Sequence, residues 1–325
     1  MVSGGLDSIL AARVMRDQGV EVEAVHFVTS FGGSKSALHQ SKLEKVAGQI
    51  GIKLTVKNIS KEFLEIVRAP RHGYGSGVNP CIDCKIFMLR KAKEHMKKTG
   101  ASFVVTGEVV GQRPMSQMKD TLAVIEKEAD LQGLLLRPLC AKLLKPTIPE
   151  ESGIVDREKL YAISGRGRKP QIDLAQQFGI SDYQQPAGGC LLTDPQFSLR
   201  VQDLMKHDSL TLDNIFLLKV GRHFRISKEC KLVVGRDEKE NGEIFKLSAQ
   251  RDLLMDAKGL PGPLGLLRGK PTADELGLAL RIVARYVDKK EGDAVEMEYW
   301  DPGADNKSFA EVKPAEENEL GEKRI

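Results

Sequence analysis

The sequence predicts an α/β protein, with a parallel-sheet domain over residues 1–150 and a smaller α+β domain over residues 210–325, joined by a connecting segment at 151–209. Three observations predict it. Strand-like and helix-like stretches alternate through the first 150 residues, as βαβ units require. The chain opens on a glycine turn, SGGLDS, that feeds an amphipathic stretch. From about Ile148 this alternation gives way to turn residues, basic clusters and short strand-like pieces.

In Ser3–Ser8 the Gly4-Gly5 pair lets backbone amides turn inward without Cβ clashes. The following SILAARVMRDQG carries Ile9, Leu10, Val14 and Met15 at helical spacing and stops at Gly19. A glycine turn feeding a helix N-terminus is an anion site, because unpaired amides and the helix dipole both favour negative charge. Ser3 and Ser8 add hydroxyls, and Asp7 is of the type that orients a metal ion or a reacting group. The G-x-x-x-x-G-K-[ST] lysine is missing, which argues against a Walker-type kinase or GTPase.

Next, VEVEAVHFVTSF reads as a strand and SALHQSKLEKVAGQIG as an amphipathic helix ended by glycine. IKLTVKNIS is a second strand, CKIFMLRKAKEHMKKTG a second glycine-closed helix, and ASFVVTGEVVG a strand running into a loop. Ligands of such sheets sit at the carboxyl ends of the strands. That rule gathers Ser3–Ser8, His26–Gly32 and Gly107–Gln117 at one edge.

Behind Ile148, PTIPEESGIVDREKLYAISGRGRKPQIDLAQQFG holds turns, a basic cluster (Arg166, Arg168, Lys169) and a short helix. QQPAGGCLLTDPQFS is a Gly- and Pro-rich loop. IFLLKVGRHFRIS and CKLVVGRDEKENGEIFKLS read as strand-like, followed by GPLGLLRG, a helix near Thr272–Val287, and AVEMEYWDP. No repeat or extended low-complexity tract interrupts the chain.

At 41% hydrophobic and 29% charged residues, the composition is that of a soluble globular protein. No apolar run approaches the roughly 20 residues of a membrane helix, and no basic-then-apolar leader opens the chain. These features exclude a membrane role and predict a cytoplasmic protein. Five cysteines, two of them in a C-x-x-C, point to reduced thiols or a metal site rather than a disulfide framework. Charge is unevenly spread: Asn214–Arg285 carries 14 Lys/Arg against 9 Asp/Glu, and Tyr286–Ile325 carries 6 against 12. A basic segment before an acidic tail fits a nucleic-acid-binding module.

GVNPCIDCKIFML places Cys81 and Cys84 in a loop opening onto a helix, where the dipole lowers a thiol's pKa. Two inert buried cysteines and a thioredoxin-type redox pair are the alternatives, although the small βαβ context of the latter is wrong. A structural zinc site finds no second C-x-x-C. Cys140 and Cys230 lack comparable surroundings and read as packing residues.

S-G-G-L-D-S resembles the pyrophosphate-binding loop of the PP-loop (N-type) ATP pyrophosphatases, which adenylate a substrate and release pyrophosphate. The resemblance implies an adenine-nucleotide alpha-hydrolase-like fold, with ATP phosphates on Ser3, Gly4, Gly5, Asp7 and Ser8, Mg2+ beside them, and the base near Phe27. In that family the loop follows the first strand of the sheet. With two residues ahead of Ser3, that strand is expected to be missing. N-P-x-x-x-C resembles the active-site segment of the tRNA 2-thiouridylases and ThiI-like tRNA sulfurtransferases of this class. There one cysteine works with a second from a distant Gly-rich loop, which Cys84 and Cys190 (PAGGCLLTD) match, while Cys81 replaces the family's Asp and Lys85 its Asn. The Cys81–Cys84 pair with one remote cysteine is also similar to a branch in which three thiolates hold a [4Fe–4S] cluster, the usual cluster ligands being cysteines. VVTGEVVGQRPMSQ stands where relatives carry a T-G-H or similar turn, which gives Gly107 and Arg113 a nucleotide-contacting role. LKVGRHFRIS and KLVVGRDEKEN resemble the NFACT-like RNA-binding module, placing Arg222, His223, Arg225 and Arg236 at phosphates, with Arg166, Arg168 and Lys169 as a second basic cluster.

The function this implies is ATP-dependent tRNA thiolation. A base carbonyl is adenylated, pyrophosphate leaves, and sulfur held as a persulfide or on a cluster displaces AMP. The expected partners are tRNA and a sulfur donor, namely a cysteine desulfurase, a sulfur carrier or sulfide. Two alternatives stand beside it: a small-molecule amide or nitrile synthase of the same superfamily, and a non-catalytic RNA-binding protein.

Overall fold

The computed structural model describes residues 1–32, 36–181, 183, 190–207, 210–288, 294–304 and 306–325, with the backbone alone of 36–40 and 42. The chain divides into two compact units, Met1–Thr193 and Asp194–Ile325. Residues 151–193 of the connecting segment therefore fall in the first unit and 194–209 in the second.

The first unit runs α1 (Leu6–Asp17), β1 (Glu23–Val28), α2 (Ser36–Gln49), β2 (Lys53–Asn58), α3 (Ser60–Arg68), α4 (Cys81–Thr99), β3 (Val104–Val105), α5 (Lys119–Glu128), β4 (Leu135–Leu136), α6 (Ile148–Glu151) and α7 (Lys169–Gln177). β1 pairs parallel with β2, from Glu23 opposite Lys53 to Val28 opposite Asn58. β3 pairs parallel with β4. Met1 and Val2 lie between the two pairs: the Val2 amide donates to Val25 O at 2.8 Å, and the Met1 ammonium donates to Val105 O at 2.7 Å. Met1 and Val2 thus bridge the two strand pairs directly ahead of the glycine turn.

Helices cover these strands with the apolar stripes their periodicity provides. α4 and α5 bury Ile86, Leu89, Ala92 and Ile125 against Val25, Phe27 and Val104. α1 buries Leu6, Ile9 and Leu10 against Leu174 and Ala175 of α7. α4 ends at Gly100, whose φ of 74° and amide bond to Met96 O form a left-handed stop. The expected third strand shrinks to Val104–Val105, because the chain then turns into the loop that carries Gly107.

The second unit runs α8 (Pro195–His207), α9 (Leu212–Leu217), β5 (Arg222–Arg225), β6 (Lys231–Val234), α10 (Glu238–Leu247), β7 (Asp252–Ala257), β8 (Gly265–Arg268), α11 (Ala273–Ala284), β9 (Val295–Trp300), β10 (Ser308–Val312) and α12 (Glu317–Gly321). Its described strands form one antiparallel sheet in the order β10-β9-β7-β8-β6-β5. α11, opened by a Thr272–Glu275 capping box, packs Leu280, Ile282 and Val283 with Leu232 and Leu267. On a separate cluster, Leu217 and Ile244 of α9 and α10 meet Val233 and Leu254. The α+β expectation holds, with two corrections. The strand-like IFLLKV and ENGEIFKL form α9 and α10, because their apolar residues recur at helical spacing and their starts are capped by Thr211 and Asp237.

Candidate functional site

The glycine turn is built from its own hydroxyls. Gly4 has φ +88°, a conformation open mainly to glycine. The Ser3 amide donates to Ser8 Oγ at 3.1 Å, and Ser8 Oγ donates to Gly5 O at 2.8 Å. Gly5 is the N-cap of α1, and no side chain caps the helix. The Ser8 and Ile9 amides donate to Gly5 O, which leaves the Leu6 and Asp7 amides as donors for a ligand, with the positive end of the dipole behind them.

The loop Gly107–Gln117 closes over this turn. A Cβ on Gly107 would lie 2.4 Å from the carbonyl of Asp7 and from the amide of Ser8. Only glycine lets the two backbones approach so closely. Gln112 Nε2 donates to Asp7 Oδ2 at 2.9 Å. In this turn and loop Asp7 Oδ1, Gln112 Oε1, Ser116 Oγ and Gln117 Oε1 are buried atoms without a hydrogen-bond partner. Buried polar atoms in native proteins nearly always have partners, so the arrangement is that of an unfilled polar site. Asp7 Oδ1 fits a divalent cation there.

The same loop reaches the thiols. Glu108, 3% exposed, pairs with Lys85 Nζ at 3.2 Å and with Arg137 Nε at 3.1 Å, and Arg137 pairs onward with Glu126 at 2.8 Å. Burial alone would raise the Glu108 carboxyl, but Lys85 and Arg137 outweigh it and hold its pKa down at about 2. Lys85, which replaces the Asn of the segment the sequence resembles, is thus the partner of Glu108.

Cys81 and Cys84 lie in the first turn of α4, and not in a loop ahead of it. Asp83 between them accepts from the amides of Arg71 and His72 at 3.2 and 2.9 Å, which pins the preceding loop to the helix. The Leu192 carbonyl accepts from the Val78 amide at 3.1 Å, drawing Cys190 toward this turn. Burial raises the Cys190 thiol, Cys81 adds to that and the exposed Arg113 opposes it, while Cys190 and Cys81 both raise Cys84. The expected dipole-lowered thiol is not found at Cys84. Burial pushes it up to about 12 against the opposing pull of Lys85.

Cys81, Cys84 and Cys190 are donors of the kind a [4Fe–4S] cluster takes. Among the described residues, however, no group of three His, Cys, Asp or Glu side chains is arranged to hold a metal ion. The Gly-rich residues 184–189 before Cys190 lie outside the described residues. All five cysteines are free, and Cys140 and Cys230 are buried as expected. Phe27 is a correction: its ring is 8% exposed and packed with Ile59 and Leu89, leaving no open face for a base.

The basic residues fall in different settings. In the second unit His223 is 1% exposed, and its Nε2–H donates to Val220 O at 2.8 Å. Burial, with Lys231 and Arg200 nearby, pushes its pKa well below the ordinary range. It cannot meet a phosphate, because it points into the sheet's own packing. Arg225 is clamped by Asp203 through bonds of 3.0 and 2.7 Å and is likewise unavailable. Arg222 stacks over Tyr286 at 4.5 Å and donates to Gly235 O. Arg236 is exposed and paired with Glu240. Arg166, Arg168 and Lys169 belong to the first unit, where Gly165 N donates to Val110 O at 2.8 Å. Glu108 and Gln112 are not among the residues the sequence selects, although both stand in its GEVVGQR stretch.

Comparison with known proteins finds matches to two separate parts of the chain. Residues 1–148 match the family model of the thiamine biosynthesis protein (ThiI), and residues 221–324 match that of the NFACT protein RNA binding domain. The chain is similar to a tRNA-specific 2-thiouridylase of Sulfurimonas denitrificans, 32% identical over 34% of this chain and 33% of that one. It is similar to a probable tRNA sulfurtransferase of Latilactobacillus sakei, 27% identical over 50% of this chain and 45% of that one. A tRNA-specific 2-thiouridylase of Listeria monocytogenes is 25% identical over 74% of this chain and 68% of that one. The chain thus spans a third to a half of the length of the first two relatives. No described helix is long and apolar enough to cross a membrane.

Proposed function

We propose that a chain resembling the tRNA-thiolating enzymes along its first part, and an RNA-binding domain along its last, is an ATP-dependent tRNA sulfurtransferase. The observation that carries this reading is the continuity of one site. The phosphate turn, the loop Gly107–Gln117, and the thiols of Cys84 and Cys190 are joined through Gly107–Asp7, Glu108–Lys85 and Val78–Leu192.

The first-turn amides of α1 and the hydroxyls of Ser3 and Ser8 hold the triphosphate. Asp7 would hold Mg2+, which offsets phosphate charge when bound. A carbonyl oxygen of a tRNA base attacks the α-phosphorus, the bond to the β-phosphate oxygen breaks, and pyrophosphate leaves toward the glycine turn. The exposed Cys190 receives sulfane sulfur from the persulfide of a cysteine desulfurase or of a carrier protein: its thiolate attacks the donor's outer sulfur, the donor's S–S bond breaks and the donor leaves as its thiolate. The Cys190 persulfide attacks the activated carbon, and AMP departs with the former carbonyl oxygen. Cys84, deprotonated to solvent or buffer as it reacts, attacks the Cys190 sulfur and releases the thiolated base. The electron pair for that release leaves Cys84 and Cys190 as a disulfide, which an external dithiol reduces before the next turnover. Arg113 beside Cys190 and Lys85 beside Cys84 stabilise the two thiolates.

The test is pyrophosphate release by the full chain with MgATP and tRNA, followed by mass spectrometry of the digested tRNA nucleosides after adding a cysteine desulfurase with cysteine and a dithiol. The expected result is tRNA-dependent pyrophosphate release that Cys84→Ser retains, and a thiolated nucleoside that Cys84→Ser loses. Pyrophosphate release indifferent to tRNA would overturn the reading in favour of a small-molecule substrate. tRNA binding without any ATP turnover would overturn it in favour of an RNA-binding protein.

A further inference from the structure

The cluster SGRGRKPQ sits far from the RNA-binding segment in sequence and belongs to the other unit. Its surroundings assign it different work. Val110 and Ser164 form a parallel bridge, and the Gly165 amide donates to Val110 O at 2.8 Å. Two residues past Val110, Gln112 binds Asp7 of the phosphate turn. The basic turn therefore rests on the loop that closes the phosphate site.

α7 follows this turn and packs on α1, its start tied to the start of α1 through Gly165–Val110 and Gln112–Asp7 and its end to Arg13, so the two helices run in the same direction. Arg13 of α1 donates to Phe178 O at 3.3 Å and lies 5.1 Å over the Phe178 ring, just past the end of α7. Leu6 precedes Arg13 by the same number of residues as Gln171 precedes Phe178. Each helix rises about 10 Å over that stretch, so the two helix starts lie level. Two positive dipole ends face the same space, and the first turn of α7 holds no acidic residue to cancel its share.

Unpartnered donors mark that space. Gln171, in the first turn of α7, is 0% exposed, and neither of its amide atoms has a hydrogen-bond partner. Arg168 Nε, at the N-cap of α7, is buried and also without one. A buried amide left unmade costs about 1–3 kcal/mol, which a protein tolerates where a ligand completes the set. Guanidinium and amide donors at paired helix starts suit a phosphate oxygen.

We propose that the turn Ser164–Arg168 and the first turn of α7 form a second phosphate-binding wall of the nucleotide site, with Arg168 and Gln171 as its ligands. The chemistry recognised is a phosphate or pyrophosphate group of the nucleoside triphosphate held on Ser3–Ser8. This deepens the nucleotide reading above and rests on it. RNA backbone phosphate is the other source of the same chemistry, and the test separates them.

Calorimetric titration of the full chain with inorganic pyrophosphate and with MgATP, set beside filter binding of tRNA, tests this on Arg168→Gln and Gln171→Leu. Both substitutions are expected to weaken pyrophosphate and ATP by roughly ten- to a hundredfold, the worth of a hydrogen bond to a charged group. tRNA affinity should hold. Gln171→Leu should melt at or above the wild-type temperature, since it removes an unpartnered buried amide, so its loss of binding is not loss of fold. Wild-type affinity for pyrophosphate in both variants overturns the proposal. So does a loss of tRNA binding by Arg168→Gln with pyrophosphate binding intact, which assigns the arginine to RNA. A wild-type chain that binds neither pyrophosphate nor ATP overturns the nucleotide reading itself, before any variant is compared.

Discussion

Replacing Glu108 by Gln keeps the shape of the side chain and removes the one carboxylate that Lys85 and Arg137 share. Arg137 is 2% exposed along its side chain, so its charge cannot turn to water without moving the core. Removing one partner of a buried ion pair costs about 3–5 kcal/mol, because the other charge stays buried and unpaired. The carboxyl itself gives a second figure. A group held at about 2 against an ordinary 4.5 contributes roughly 3 kcal/mol when ionised. Because its folded pKa is the lower one, that contribution is complete above pH 4.5 and is lost as pH falls toward 2. Arg137 retains Glu126 at 2.8 Å, which favours the lower end of the range. The measurement is urea unfolding of the full chain by far-ultraviolet circular dichroism and by fluorescence of Trp300, the only tryptophan, which lies in the second unit. Glu108→Gln should cost about 3 kcal/mol at pH 7 in the transition seen by dichroism and leave the Trp300 transition in place. Adding Lys85→Met should restore part of the loss, and the gap to wild type should narrow below pH 4.5. A loss under about 1 kcal/mol at pH 7, or one indifferent to pH, would refute the view that Glu108 anchors this network.

Three further outcomes are expected. Gly107→Ala should abolish MgATP binding in calorimetry, since its Cβ meets backbone and not a movable side chain; retained affinity would show that the loop shifts freely. Alkylation of Cys84, followed by peptide mass spectrometry, should rise about tenfold per pH unit from pH 7 to 10 without levelling off, because only the thiolate reacts and burial pushes this thiol up to about 12. A plateau near pH 7 would contradict that. His223 is buried neutral with its pKa lowered, so the unfolded chain takes up its proton first as pH falls. Stability read from Trp300 fluorescence should therefore decline below pH 6.5 by up to about 1.4 kcal/mol per pH unit, and His223→Gln should flatten that decline; an unchanged slope would disprove it.

The sequence discloses the parallel sheet and the glycine turn because both rest on local features: strand-helix alternation in one case, glycines and a helix start in the other. Gly107 is legible for the same reason, although its exact demand, room for the Asp7 carbonyl, appears only in three dimensions. What stays hidden depends on partners distant along the chain. Nothing in RHFR distinguishes Arg225, clamped by Asp203, from Arg222 over Tyr286. His223 looks like a phosphate ligand until the sheet's register turns it inward. Phe27 fails likewise, since an aromatic at a strand end reads the same whether it faces a ligand or the core. Lys85 and Glu108 are separate oddities in the sequence and one ion pair in the structure.

The family match to the RNA-binding segment begins at Gly221, yet Asp203, a carboxylate that pairs with both Arg225 and Lys231, sits on α8, well upstream of that boundary. Inheritance by sequence and the reach of this ion-pair cluster therefore have different borders in this chain. A fragment cut at Gly221 separates both cations from Asp203, whereas one cut at Asp194 keeps the three residues together. Whoever wishes to study, transplant or express the C-terminal module alone has its working boundary in that aspartate.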